Sequence, residues 1–178
     1  PRSTDKPLSV KCVKTEKKLS TRTTVETQFK TYGTVIQRSL EGLFLFLLVT
    51  KINLMLLRSA FWIAGPTASG KSQLALKLAE RKGCEIISVD SMQVYRGMDV
   101  GTAKPSVDER SRIPHHMLDL VGIHESYDVA KFRTQALLEA EKVHQRGRHI
   151  IFCGGTGFYF QALIHGVGHA PPSDPNIR

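Results

Sequence analysis

At 178 residues the chain has room for one ordinary domain plus an extension and can bury a real core. Its formal charge of +9 divides unevenly: about +7 falls in residues 1–58 and +2 in residues 59–178, so the basic balance says little about the core. Cys12, Cys84 and Cys153 contain no CxxC and leave an odd count, which excludes a disulfide framework and suits a reducing compartment.

Residues 1–41 are rich in Lys, Thr and Ser and show no sustained period, so they are expected to be disordered or foreign to the fold. Leu43 to Val49 is strongly apolar, yet Lys51, Asn53 and Arg58 break the run soon after it. That falls short of the roughly 20 residues of a spanning helix, so an extra helix or leader is expected and a stable membrane association is not. Met55 precedes the first expected strand and is a candidate start. The domain reading is therefore an extension over 1–54 and a core over 55–178.

From residue 59 the pattern becomes strand, loop, helix, repeated, which predicts an α/β fold with a doubly wound parallel sheet and flanking helices, incomplete at its C-terminal end. Phe61 to Ala64 reads as a buried strand. The helix after Lys71 is expected to bury Leu74, Ala75, Leu78 and Ala79, with Gly83 as its cap. Glu85 to Val89 reads as a second strand and His116 to Leu120 as a third. A helix is predicted from Val129 to Gln145, N-capped by Asp128, stopped by Gly147, and buried through Val129, Phe132, Ala136, Ala140 and Val143. A strand over His149 to Cys153, a glycine-rich turn and a helix over Phe158 to Ile164 come next, with a proline-rich loop after Pro171.

Between the first strand and helix stands Gly65-Pro66-Thr67-Ala68-Ser69-Gly70-Lys71-Ser72, the pattern G-x-x-x-x-G-K-[ST] of a phosphate-binding loop. Glycines let the backbone N–H groups point inward, and the adjoining helix adds the positive end of its dipole. A diphosphate or triphosphate fits such a nest, with Lys71 between phosphate oxygens and the Ser72 hydroxyl on a Mg²⁺ ion. Asp90, at the carboxyl end of the second strand, is placed either to bind Mg²⁺ through water or accept a proton, or simply to hold a turn. Thr156 in its glycine-rich turn suits a phosphate or base contact and equally a structural turn. Lys104 and Thr102 on a loop could grip phosphate, although a solvated lysine is commoner. His115 and His116 are adjacent in an extended segment, point to opposite faces and are expected to be structural rather than metal ligands. Phe158, Tyr159 and Phe160 could stack on a base but are expected to pack the core.

These stretches together resemble the tRNA dimethylallyltransferase, or tRNA isopentenyltransferase, family. The most specific is Ser88-Val89-Asp90-Ser91-Met92-Gln93-Val94-Tyr95-Arg96-Gly97-Met98-Asp99-Val100-Gly101-Thr102-Ala103-Lys104-Pro105, supported by Pro114 to Asp119 and Gly154 to Phe160 in matching order. The resemblance implies transfer of a dimethylallyl group from dimethylallyl diphosphate to N6 of an adenosine beside the anticodon of tRNA, in the cytoplasm, by a monomer using Mg²⁺. It implies Asp90 as general base with Lys71 and Thr67 on the leaving diphosphate. It also implies tRNA contacts from Asp90, Ser91, Met92, Gln93, Thr156 and Arg178. Family members continue well past the position of Arg178, so the 178 residues alone are expected to transfer poorly or not at all. Two rival readings remain: a small-molecule or nucleoside kinase using ATP on the same loop, and a non-catalytic RNA binder acting through its basic extension.

Overall fold

The computed structural model describes residues 11–13 and 40–168, with side chains from residue 47 onward. Its elements are β1 (Lys11–Val13), α1 (Leu40–Ser59), β2 (Phe61–Ala64), α2 (Lys71–Lys82), β3 (Cys84–Val89), α3 (Val107–Arg112), β4 (His115–His116), α4 (Val129–Gln145), β5 (His149–Gly154) and α5 (Gly157–His165). The strands form one sheet in the order β1-β2-β5-β3-β4. The four strands from β2 to β4 run parallel, and β1 joins the free edge of β2 antiparallel. This is the expected α/β architecture. The non-sequential order means that each parallel neighbour is reached by a crossover through a helix.

Alternation along the strands decides which helix covers which face. Trp62, Ile87, Val89, Ile150 and Phe152 point to one side, where they meet Phe132, Ala136, Ala140 and Val143 of α4, Leu163 of α5 and Leu56 of α1. Ile63, Ile86, Ile151 and Cys153 point to the other and are covered by Ala75, Leu76 and Ala79 of α2. Each fully buried Ile or Phe on these faces contributes about 1.5–3 kcal/mol relative to exposure, and Trp62 stacks on Phe152 with centroids 4.7 Å apart. Helix α1 runs through the junction placed between residues 54 and 55, and Ile52, Leu56 and Leu57 pack on the first face. No described helix is long and apolar enough to cross a membrane.

Local signals hold at several helix ends. Asp128 accepts from the Lys131 backbone N–H at 2.8 Å, and Gly83 caps α2 in the left-handed region. Two expectations need correction. The buried stripe of α2 is Ala75, Leu76 and Ala79, while Leu74 is exposed and Leu78 only partly covered, because the helix presents its 75/76/79 row to the sheet. The strand expected from His116 to Leu120 is only His115–His116. Left-handed backbone at Met117 (φ 65) and Asp119 (φ 54) turns the chain out of the sheet there. The expected proline-rich loop after Pro171 lies outside the described residues.

Parallel register then fixes where chemistry can occur. Ala64 pairs with Gly154 and Gly154 with Val89, so β2, β5 and β3 end on one line. The phosphate loop, the Gly155-Thr156 turn and the Asp90 loop leave that edge side by side, at the carboxyl ends of the strands.

Candidate functional site

The loop between β2 and α2 is curled as its sequence requires. Ala68 (φ 62) and Gly70 (φ 80) are left-handed, the alternation that turns successive amides toward one concavity. Ser69 N–H donates to Pro66 O at 3.3 Å, and Gly65 N–H donates to Gly154 O at 3.3 Å, fastening the loop to β5. Lys71 donates from Nζ to Pro66 O at 3.0 Å, folded over its own loop. The Ser69 hydroxyl is buried inside the curl with no protein partner. Because the first N–H groups of α2 have no intrahelical acceptors, the mouth of the loop presents the unpaired amides that suit an anion.

Thr67, Lys71 and Ser72 line a cavity of about 410 Å³, and Asp90, Met92 and Gln93 line its other side. The Asp90 carboxylate is divided in use. Oδ1 accepts from Met92 N–H at 2.9 Å and Gln93 N–H at 3.4 Å, whereas no described group occupies Oδ2. The two roles open to Asp90 from its position are thus compatible in one side chain: one oxygen shapes the turn and the other is free.

Gln93 is committed internally. Its Oε1 accepts from Ser88 Oγ at 2.8 Å, and its Nε2 donates to Thr102 O at 2.9 Å and Ala103 O at 3.1 Å, pinning the 101–103 loop over the cavity. Thr156 accepts at Oγ1 from Ser91 N–H at 3.0 Å, tying the turn after β5 to the Asp90 loop instead of capping its own helix. Residue pairs separated by 65 positions carry no sequence signal of such a tether. Arg178 lies outside the described residues. Tyr159 and Phe160 are buried as expected, whereas Phe158 is exposed on the first turn of α5.

Lys104 is not solvated, contrary to the commoner expectation, and its ammonium is committed to partners inside the protein. Its side chain is 2% exposed, and Nζ bonds Asp99 and Asp119 at 2.7 Å each and donates to Tyr95 O at 2.9 Å. Arg110 bonds the second oxygen of Asp119 at 2.8 Å. Burial would raise the Asp119 pKa, but the Lys104 and Arg110 hydrogen bonds outweigh it and hold the carboxyl below its ordinary value. At the far end of β3, burial likewise opposes ionisation of Glu85, and Arg146 with His116 outweighs it. His116 Nε2 lies 2.7 Å from Glu85, so this histidine is structural, as expected. Among the described residues no group of three or more His, Cys, Asp or Glu is placed to hold a metal.

Depressed carboxyl pKa values fix a sign. The stability that Asp119 and Glu85 contribute is complete above the unfolded carboxyl value near pH 4 and is lost as pH falls through their lower folded values. The urea midpoint is therefore expected to drop steeply below about pH 4.5. Asp119→Asn should lower the midpoint at neutral pH and shallow that drop; an unchanged acid limb would refute the assignment.

A family model described as "IPP transferase" matches residues 93–178. Among curated proteins, the chain is 53% identical over 119 residues to the tRNA dimethylallyltransferase of Nitrosococcus oceani, covering 67% of this chain and 38% of that one. With the tRNA dimethylallyltransferase of Geobacter metallireducens it shares 53% over 116 residues, covering 65% and 38%. The full-length tRNA isopentenylpyrophosphate transferase of Bacillus halodurans superposes with a TM-score of 0.58 at 43% identity, over 64% of this chain and 38% of that one. A eukaryotic dimethylallyltransferase solved acting on tRNA superposes at 0.53 with 42% identity, over 55% and 24%. The chain thus spans 38% of the length of these curated relatives.

Proposed function

This chain belongs to the tRNA dimethylallyltransferase family, and from that premise we propose that it carries the diphosphate-binding and proton-accepting part of a site transferring a dimethylallyl group to an adenosine N6 of tRNA. The observation that carries the reading is that the phosphate-loop residues Thr67, Lys71 and Ser72 share one cavity with Asp90, whose Oδ2 is unengaged.

The amine of the target adenosine attacks C1 of the allylic diphosphate, the C1–O bond breaks, and diphosphate leaves with the electron pair. The proton that the amine loses passes to Asp90 Oδ2. Lys71, the Thr67 hydroxyl and the loop amides neutralise the charge that builds on the departing group, which lowers the barrier to C–O cleavage. An exocyclic adenine amine is a weak nucleophile, so a carboxylate within hydrogen-bond reach is what the step requires. The target base must leave its stack to enter, as bases of single-stranded loops do. Met92 lines the cavity beside Asp90, and with Ser91 and Thr156, which are joined to each other at 3.0 Å, it is assigned to the RNA side.

The Ser72 hydroxyl is a hard oxygen donor on the cavity beside the phosphate loop and would hold a Mg²⁺ ion carried by the diphosphate. Bound there, the ion would add charge stabilisation to the leaving group.

Lys71→Ala is expected to weaken binding of dimethylallyl diphosphate by about thirtyfold, the loss of one charge-assisted contact while the amide nest remains. Titration calorimetry with dimethylallyl diphosphate and with ATP reads both this and the kinase alternative. Tight ATP binding with no affinity for the prenyl diphosphate would replace the transferase reading by a kinase.

A further inference from the structure

The turn that carries Asp90 is tied to two other segments, and one buried side chain touches all three. Lys104 Nζ donates to Tyr95 O at 2.9 Å, on the loop after Asp90. It also bonds Asp99 within its own loop and Asp119 after β4, at 2.7 Å each. Burial opposes the charge, but the hydrogen bonds to Asp119 and Asp99 outweigh it and hold the ammonium above its ordinary pKa, so it stays charged at neutral pH. Ala103 and Pro105 belong to the cavity wall, whereas Lys104 between them turns away from the cavity into this cluster.

The same three segments are joined by shorter links that lead back to Asp90. Asp119 N–H donates to Gln93 O at 3.1 Å and Leu120 N–H to Val94 O at 2.7 Å. Gln93 Nε2 reaches Thr102 O, and Asp90 Oδ1 accepts from the Met92 and Gln93 amides. Ala103 (φ 50) and Asp119 (φ 54) are left-handed without being glycine, a conformation that persists only where the surroundings impose it. A buried ion pair adds little net stability, because desolvation of the charges offsets their attraction. What the cluster supplies is one permitted arrangement of the three segments.

Resting on the transferase reading above, we propose that Lys104 is a positioning residue for the proton transfer: by holding Tyr95 O against Asp99 and Asp119 it fixes the turn that carries Asp90, and so the aim of Asp90 Oδ2. It acts through that turn and touches no reacting atom. A displacement of about 1 Å at a reacting group can cost on the order of 10²-fold in rate, so a clamp remote from the chemistry is felt there.

The test compares three variants of the 178-residue chain. Lys104→Met removes the cation and its donors, Lys104→Gln is neutral and shorter but polar, and Lys104→Arg keeps the cation. In the two neutral variants the backbone amide NMR signals of Met92 and Gln93, which report the bonds to Asp90 Oδ1, should move while those of Ser69 to Ser72 stay in place. Single-turnover transfer should fall about 10²-fold, and calorimetric affinity for inorganic diphosphate should change by less than about twofold. Arginine should recover most of the rate. Unmoved Met92 and Gln93 signals, a rate and a diphosphate affinity that fall together, or loss of the whole fold in both neutral variants overturns the proposal. The amide signals decide the clamp with no transfer taking place. The transferase reading fails separately, when Asp90→Asn in the parent chain leaves single-turnover transfer unchanged.

Discussion

Asp90→Asn is expected to lower prenyl transfer to tRNA by about 10²–10⁴-fold, the usual contribution of a positioned general base, while leaving affinity for dimethylallyl diphosphate unchanged. The choice of asparagine isolates the chemistry. Its carbonyl oxygen can still accept from Met92 N–H and Gln93 N–H, as Oδ1 does now at 2.9 and 3.4 Å, so the turn after β3 keeps its shape. What is lost is the second oxygen, replaced by an amide that cannot take a proton at neutral pH. Single-turnover assays with protein in excess over labelled substrate read low rates directly and separate chemistry from product release. Alanine at the same position should cost more, because it also frees the two amides. Turnover unchanged by asparagine would show that the proton goes elsewhere and would remove Asp90 from the mechanism.

Where sequence and structure agree, the signal is local. The phosphate loop needs two glycines, a lysine and a hydroxyl within eight consecutive residues, and the turn at Asp90 comes directly after the end of β3. Both are read from neighbours along the chain. The features that escape the sequence depend on contacts between distant positions. Lys104 looks like a solvated loop cation until the left-handed residue Asp119 brings its carboxylate to 2.7 Å, fifteen positions away. A partner lying outside the helix and strand periods leaves no trace in the pattern. The Thr156 hydroxyl is ambiguous for the same reason, since its acceptor role is defined by Ser91 on another strand's loop. On α2 the ambiguity is one of rotation: leucines at 74, 76 and 78 permit two stripes, and only the sheet selects between them. Adjacency to His116 argues against His115 as a metal ligand, but its place on the cavity wall depends on how β4 pairs with β3, which a two-residue strand does not announce.

That same sheet edge makes Gly154→Ala the most damaging small substitution in the core. A Cβ at Gly154 would lie 2.0 Å from Val89 O and 2.4 Å from Val89 C, an overlap with backbone that no rotamer change relieves. β3 and β5 would have to separate, although they are paired over six residues in the centre of the sheet. Overpacking of this kind costs typically 1–3 kcal/mol, and more where backbone must move; about 3 kcal/mol or more is expected here. For a domain of this size that lowers Tm by roughly 6–12 °C. The consequence reaches the site, because Gly154 O receives the Gly65 N–H at 3.3 Å and Val89 O receives the Thr156 N–H at 3.2 Å. Separating the strands displaces the start of the phosphate loop and the Asp90 loop together, so diphosphate affinity should fall in whatever fraction remains folded. Gly155→Ala is the control: its added Cβ would meet Gly65 O at 3.5 Å, an ordinary contact, and should shift Tm by no more than a few degrees. Thermal melts of the two variants decide the matter. Equal effects would mean that the close approach of β3 and β5 is not what position 154 needs glycine for, and the coupling of strand spacing to the site would fall with it.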